Sequence, residues 1–514
     1  MLNLDSKVSI NRDFIVSPNL ADRFGPDDLK RIGIHVADGY TRDKQTRSAW
    51  ERRNEAGMDL ALQVQKGKDF PWPNCSNIAF PLVTIAALQF HARAYPTLIS
   101  GQDIVKCRVV GEDPDGQKRA RADRISDHMS YQVLEEDRAW EEQHDRLLIN
   151  LPIVGCAFGK SYYNSSLGYN VTELVLARDL VMHYYATSTE ACSRKTHIIP
   201  LFRNEIYERV QRQVFVDVLE EAWYRQAAIS SPSSPMVAGV DNRKGMQPPQ
   251  PDQDTPFIGL EQHCLLDLDK DGYAEPYIVT IEESSKAVLR IVARFDREED
   301  IERTAGKKII KIRATEYFTK YSFIPSPDGG IYDIGFGVLL GPLNESVSSI
   351  LNQLVDAGTM SNSAGGFLSR GAKLRGGVYT FAPLEWKRVD STGDDLKKSI
   401  FPLPVREPSP VLFNLLSLLI NYTERISGAT DTMVGQTPGQ NTPAETTRAV
   451  IEQGMKIYTS IFKRVWRSMK EEFKKRYILN GIYMSERTPF GEKGGVALRN
   501  DYMGDPDQVV PVAD

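Results

Sequence analysis

The sequence predicts a mixed α+β protein in which helix predominates. Three observations lead there: a helical seam over 117–150, a second over 443–479, and β-patterned stretches at 153–185 and 257–323 between them. In the first seam Ile125, Met129, Val133, Trp140, Leu147 and Leu151 recur at steps of four and seven. That is the repeat of one helix face, and it predicts a core contact rather than a binding surface. In the second, Ile451, Met455, Tyr458, Phe462, Val465, Met469 and Phe473 alternate steps of four and three, the spacing of helix-on-helix packing.

Taken in order, residues 44–66 read as a helix ending near Gly67. The run KDFPWPNCSN then supplies prolines, Asn and Ser that mark a loop. Pro81 to Tyr95 returns to helix, with Pro81 suited to its first turn and Pro96 closing it. DIVKCRVVG, 103–111, reads as a strand. Past the first seam, GKSYYNSSLGYNVTELVLARDLVMHYY breaks into short strands separated by Gly and Asn. A helical stretch at 204–228 precedes SSPSSPMVAGVDNRKGMQPPQPDQDTP, a Pro- and Ser-rich segment that predicts a projecting loop. Alternation in YIVTI, VLRIVARF and KIIKIRATEYF predicts a second β module. Helix follows from Leu340 to Asn362, with Gly358 and Gly365-Gly366 at its end. A Gly- and Lys-rich excursion over 363–410 leads into an apolar helix over 410–426. Thr442-Pro443-Ala444-Glu445 is a capping box that opens the last helix. From about Arg487 onward the chain reads as irregular.

Length and composition bound the function. The 514 residues, 41% of them hydrophobic, suffice for several domains with real cores and exclude global disorder. With 63 Lys+Arg against 68 Asp+Glu the net charge is −5, which excludes nucleic-acid coating by bulk basicity but not a local basic lining. The five cysteines, at 75, 107, 156, 192 and 264, form no C-x-x-C pair and read as reduced thiols. The N-terminus lacks a secretory pattern. VLFNLLSLLI, 411–420, is the longest apolar run, well short of the ~20 residues that cross a bilayer.

Several motifs approach known chemistries without completing one. Gly155 and Gly159 of GCAFGKS enclose three residues where a phosphate loop needs four, and Tyr162-Tyr163 continue as strand where a helix should begin. Gly335-Phe336-Gly337 lacks the third glycine of a dinucleotide site and reads as a turn before a helix. In DLDKDGY, Asp267, Asp269 and Asp271 could present oxygens to one calcium ion with Gly272 making the sharp turn, but the twelfth position, where a bidentate Glu is due, is Ile278. The alternative is a polar turn between strands. The seven histidines show no H-E-x-x-H pairing and no G-x-S-x-G elbow occurs, so catalysis has no positive signal. Basic residues cluster at 373–406, including Lys397, Lys398 and Arg406, and along 463–476; such clusters are solvated faces or phosphate contacts without base readout.

The order of segments carries more than any site. PWPNCSNIAFPLVTIAALQFHARAYP, LLINLPIVGCAFGKSYYNSS, LDLDKDGYAEPY, YDIGFGVLLGPLNESVSSILNQLVDAG and NTPAETTRAVIEQGMKIYTSIFKRVWRSMKEEF together resemble the portal protein of tailed bacteriophages, particularly the short-tailed type, over roughly residues 45–480. The resemblance implies an elongated subunit with wing, stem, clip and crown, assembled into a ring, usually a dodecamer, at one capsid vertex. Double-stranded DNA passes through that ring, in by packaging and out by ejection. The implied parts are a wing at 1–203, a connecting helix at 204–223, a clip with β module at 224–335 and a stem helix at 336–363. A wing return at 364–442 would hold a tunnel loop near 390–410, with Lys397, Lys398 and Arg406 as DNA neighbours. A crown-side helix would span 443–482, and a tail 483–514. The implied partners are other copies of the chain, DNA held without sequence preference, terminase, a head–tail adaptor, and the major capsid and scaffolding proteins. No membrane, cofactor, metal or catalytic residue is implied; the place is the virion, after assembly in the bacterial cytoplasm.

Two other readings compete: a packaging enzyme such as an ATPase or nuclease, and another head–tail connector scaffold. A near-neutral chain suits a conduit, because every added phosphate contact steepens salt-dependent affinity and hinders sliding.

Overall fold

The computed structural model describes residues 12–15, 17–64, 67–68, 75–99, 101, 103–109, 113–226, 252, 254–295, 300–304, 309–362, 366–368, 400–402, 409–427, 444–491, 495–503 and 509–510. It is mixed α+β, about 49% helical and 21% strand. By its internal contacts the chain divides into two units, one of residues 1–64, 81–341 and 427–514, the other of 65–80 and 342–426.

After the short helical turns Arg12–Ile15 and Ala21–Arg23, the first long helix of the larger unit is α1, Pro26–Thr46, which the hydrophobic pattern had not revealed. Its start is nevertheless written in the chain: Gly25 precedes Pro26 at the first position, and Asp27 and Asp28 sit in the first turn, where the helix dipole favours acid. A second helix, α2, covers Ser48–Ala61. The reading of one helix over 44–66 is therefore corrected, and Arg47 is the reason for the break. Its guanidinium is buried and donates to the carbonyls of Ala177 and Leu180 at 2.9 and 2.8 Å, fixing the junction.

Helix α3, Leu82–Leu98, keeps Pro96 inside its last turn rather than stopping before it. Within 103–109, the described part of the strand expected over 103–111, only β1, Lys106–Cys107, is strand. The seam predicted as one helix is two, α4 over Gln117–Tyr131 and α5 over Trp140–Val154. Between them Gln132–Glu136 widens into a π-turn, a local insertion that re-aims the chain. The predicted stripe holds across the break: Ile125, Met129, Val133, Trp140, Leu147 and Leu151 are all buried.

The β stretches read as separate modules share their sheets. β2, Cys156–Asn164, and β3, Tyr169–Leu176, form a hairpin. β4, Leu180–Met182, and β5, Lys195–Leu201, precede α6, Arg203–Gln211, which is much shorter than the helix expected over 204–228. The low-complexity segment that follows lies largely outside the described residues. β6, Phe257–Leu266, β7, Glu275–Glu282, and β8, Val288–Ala293, then complete an antiparallel five-stranded sheet in the order β4-β5-β6-β7-β8. Ile32, Val36, Ala37 and Tyr40 of α1 share a core with Leu260, Val279, Ile281 and Ile291 of that sheet. β9, Ile301–Arg303, and β10, Ile309–Ile312, pair with each other, whereas β11, Phe318–Ser322, crosses back to flank β2.

Where the chain passes from α5 into β2, two backbones meet. Gly155 caps α5 with φ +103°, a conformation that favours glycine. A Cβ on Gly335 would lie 2.3 Å from the Ile153 carbonyl oxygen, so both glycines are set by contact rather than by a nucleotide.

The smaller unit is organised by α7, Gly341–Asn362, close to the predicted limits. The Asn352 amide accepts from Ser76 Oγ and Ile78 N at 2.7 Å each and donates to the Ile78 carbonyl at 3.1 Å. Asp356 accepts from Ser76 N at 2.7 Å. These bonds hold the described end of the Pro-rich loop along the helix. Short strands β12, Gly366–Leu368, and β13, Ile400–Pro402, pair antiparallel, and α8 spans Pro410–Ser427.

Helix α9, Ala444–Tyr483, returns to the larger unit. Tyr458, Phe462, Val465, Met469 and Phe473 are buried, as their spacing predicts. The tail expected to be irregular instead forms hairpin β14–β15, Arg487–Phe490 with Gly495–Leu498. Beyond it β16, Val509–Val510, pairs with β1. No described helix is long and apolar enough to cross a membrane.

Candidate metal centre

The turn joining β6 to β7 brings four carboxylates together. Antiparallel pairing sets Leu266 opposite Glu275, so residues 267–274 must reverse the chain. Lys270 at φ +63° and Gly272 at φ +95° make the reversal. Aspartates suit this local geometry because their side chains bond the backbone two or more residues on. Asp269 Oδ1 accepts from Asp271 N at 3.0 Å, Asp271 Oδ1 from Tyr273 N at 2.7 Å, and Asp267 Oδ2 from Gly272 N at 3.2 Å.

The expected trio, Asp267, Asp269 and Asp271, is thus assembled. Sequence reasoning missed its fourth member, Glu275. It sits at the ninth position of the loop counted from Asp267, and a reading fixed on Ile278 at the twelfth passes over it. One carboxylate oxygen from each of the four residues lies within 4.8 Å of the others. Glu275 is fully buried, as are Leu268 and Tyr277 beside it. Burial, and next the charge of Asp269, push its carboxyl up to about 8.

Lys397, Lys398 and Arg406, the residues expected to face DNA, lie outside the described residues. The basic run on α9 is partly committed to the interior. Arg476 is fully buried and ion-paired to Asp137, just beyond the π-turn. Lys475 donates to the Phe318 carbonyl and, at 2.8 Å, to Thr319 Oγ1. These two residues are neither a solvated face nor a phosphate contact.

Two buried polar clusters lie elsewhere in the larger unit. Around Glu472, Trp140 Nε1 donates to Oε1 at 2.8 Å, His144 Nε2 lies 3.2 Å from Oε2, and the Tyr321 hydroxyl donates to Oε2. Burial opposes the charge of Glu472, but His144 and then Arg476 and Tyr321 hold the carboxyl down at about 2. In the second cluster Lys160, from the near-miss phosphate loop, lies in strand β2 and pairs with Glu261 at 2.8 Å. Beside them burial pushes His197 to about 3 and His263 to about 4. Both clusters satisfy charge inside the fold.

Compared with models of known protein families the chain matches none, and no curated protein is significantly similar to it.

Proposed function

We propose that the chain is the subunit of a portal-type ring that conducts double-stranded DNA through one vertex of a bacteriophage capsid. The observation that carries this reading is the exposed side of α8. Val411, Leu415, Leu418, Tyr422 and Ile426 stand exposed at steps of four, three, four and four, which places them on one stripe of the helix. A contiguous exposed apolar stripe marks a contact between proteins. The occupant assigned to it is a neighbouring copy of this chain, since an uncharged aliphatic and aromatic seam suits a permanent rather than a transient interface. Repeating a head-to-tail contact about an axis closes a ring. The order of resembling segments supports the same reading independently.

In this role the ring, expected to be a dodecamer, is anchored among the major capsid and scaffolding proteins. It meets terminase during packaging and a head–tail adaptor afterwards. It acts as a conduit with no reaction of its own, and Lys397, Lys398 and Arg406 are the assigned phosphate neighbours. Assembly in the bacterial cytoplasm and residence in the virion follow from that role.

The test is native mass measurement and particle imaging of the purified chain. Large closed rings with a central hole are the expected result. A monomer or dimer that turns over nucleotide would overturn the reading in favour of a packaging enzyme.

A further inference from the structure

We propose that the β6–β7 turn is a binding site for one divalent cation of the calcium class, held by carboxylate oxygens of Asp267, Asp269, Asp271 and Glu275. This stands apart from the ring assignment and survives or fails without it.

A polar turn accounts for the aspartates alone, because their hydrogen bonds shape the reversal. It does not account for Glu275. That residue begins strand β7, where its side chain is fully buried beside a core containing Leu266, Leu268 and Tyr277. Its Oε1 has no hydrogen-bond partner. Its Oε2 accepts only two long bonds, from Leu268 N and Tyr277 Oη at 3.4 Å each. Asp267 Oδ1 is also buried without a partner. Two orphaned oxygens in one cluster are costly, since a buried polar group without a partner loses its hydration and gains nothing. A cation at the centre of the four carboxylates supplies that missing partner.

The donor set and its span select the ion. Four carboxylates form a hard, all-oxygen site that suits Ca2+ or Mg2+ and disfavours thiophilic metals. Calcium–oxygen distances of about 2.4 Å allow two ligands on opposite sides of the ion to be about 4.8 Å apart, whereas Mg2+ at about 2.1 Å demands about 4.2 Å and near-ideal octahedral geometry. The four oxygens here all lie within that wider limit. Asp271 is exposed while Glu275 is buried, so the ion would enter from the loop side and be backed by the core.

The full-length chain, stripped with a chelator and dialysed, is titrated with CaCl2 by calorimetry, and separately with Tb3+ read by luminescence sensitised through Tyr273 and Tyr277. One saturable Ca2+ per chain is expected, with Mg2+ bound at least about tenfold more weakly. Glu275→Gln, which keeps the side-chain shape, and Asp269→Asn should each weaken Ca2+ binding by about tenfold or more with an unchanged circular dichroism spectrum. Should Glu275→Gln fail to fold, Asp269→Asn and the exposed-site Asp271→Asn carry the test. Folded wild-type protein that shows no saturable binding up to about 5 mM Ca2+ overturns the site. So does binding that persists at full strength in every folded variant.

Discussion

Arg476 of α9 and Asp137, just beyond the π-turn, form an ion pair from which water is excluded on both sides. The same Asp137 carboxylate accepts from Thr172 N at 3.1 Å, and Arg476 Nε donates to Thr172 Oγ1 at 3.0 Å. Helix α9, strand β3 and the break between α4 and α5 are thereby joined at one charged point.

Breaking that pair from one side leaves a charge buried alone. Arg476→Met should therefore destabilise the larger unit by roughly 3–5 kcal/mol, read as a lower urea midpoint. The double change Arg476→Met with Asp137→Leu should cost less than Arg476→Met alone, because no orphaned charge remains. Equal or greater loss in the double variant would show that the pair's geometry, rather than charge burial, dominates.

Three buried histidines make the fold acid-sensitive in a defined window. Burial pushes His128 and His263 to about 4 and His197 to about 3, whereas in the unfolded chain imidazole protonates near 6.5. Between those values the unfolded state binds more protons, so this stability is complete above pH ~6.5 and is lost as pH falls toward 4. Over the full window His128 and His263 each account for about 3 kcal/mol and His197 for about 5 kcal/mol. Melting temperature should fall from pH 7 to 5, and His128→Gln should flatten that slope. A pH-independent midpoint in the wild type would refute the assignment.

Two glycines should respond oppositely to alanine. At Gly335 a Cβ meets the Ile153 carbonyl oxygen at 2.3 Å, a clash between backbones that no side-chain rotation relieves, so Gly335→Ala should cut the yield of folded protein. Gly358 lies inside α7 with nothing within 4 Å of its Cβ direction. Gly358→Ala should stabilise by roughly 0.5–1 kcal/mol through helix propensity, seen as a raised melting temperature.

These contrasts show what the sequence could and could not reveal. Stripes on α4, α5 and α9 were legible because a buried face imposes a 3.6-residue period whatever lies opposite. The split at Arg47 and the π-turn were not, since both are fixed by partners far away in sequence, Ala177 and Leu180 for Arg47 and Arg476 for Asp137. The pairing of β16 with β1 was hidden for the same reason, whereas hairpin β14–β15 is local and was obscured by Pro489 within its first strand. Of the cation site, the three aspartates were legible from alternation and Gly272. Glu275 became visible only when strand register placed it opposite Leu266.

The α8 stripe yields a prediction specific to assembly. Leu415→Glu or Leu418→Glu puts charge on an already exposed surface, so a lone subunit should tolerate it within about 0.5 kcal/mol. A ring that buries the stripe should not form. Size-exclusion chromatography with light scattering would report small species for both variants beside large wild-type particles; unchanged large rings would remove α8 from the interface.

In the proposed ring, Lys397→Ala and Arg406→Ala should leave subunit number unchanged while altering DNA packaging or retention. The contrast to seek is one of salt response, because each lost phosphate contact lowers the salt slope of DNA association by about one. Loss of assembly, with normal packaging by whatever rings survive, would place these residues in the subunit interface instead.

Strand β2 takes β3 as one neighbour within a hairpin, but its other neighbour, β11, lies more than a hundred residues downstream. At a synthesis rate of about 5–20 residues per second that interval is on the order of 10 s, during which the emerging chain holds an unpaired edge. Helix α9 seals the arrangement later still, with Ser468 Oγ donating to the Lys320 carbonyl at 2.7 Å. Truncations ending between β3 and β11 should consequently be sticky rather than merely unstable. The order of translation thus leaves each new chain a period of vulnerability to wrong pairings before its own distant strand is made.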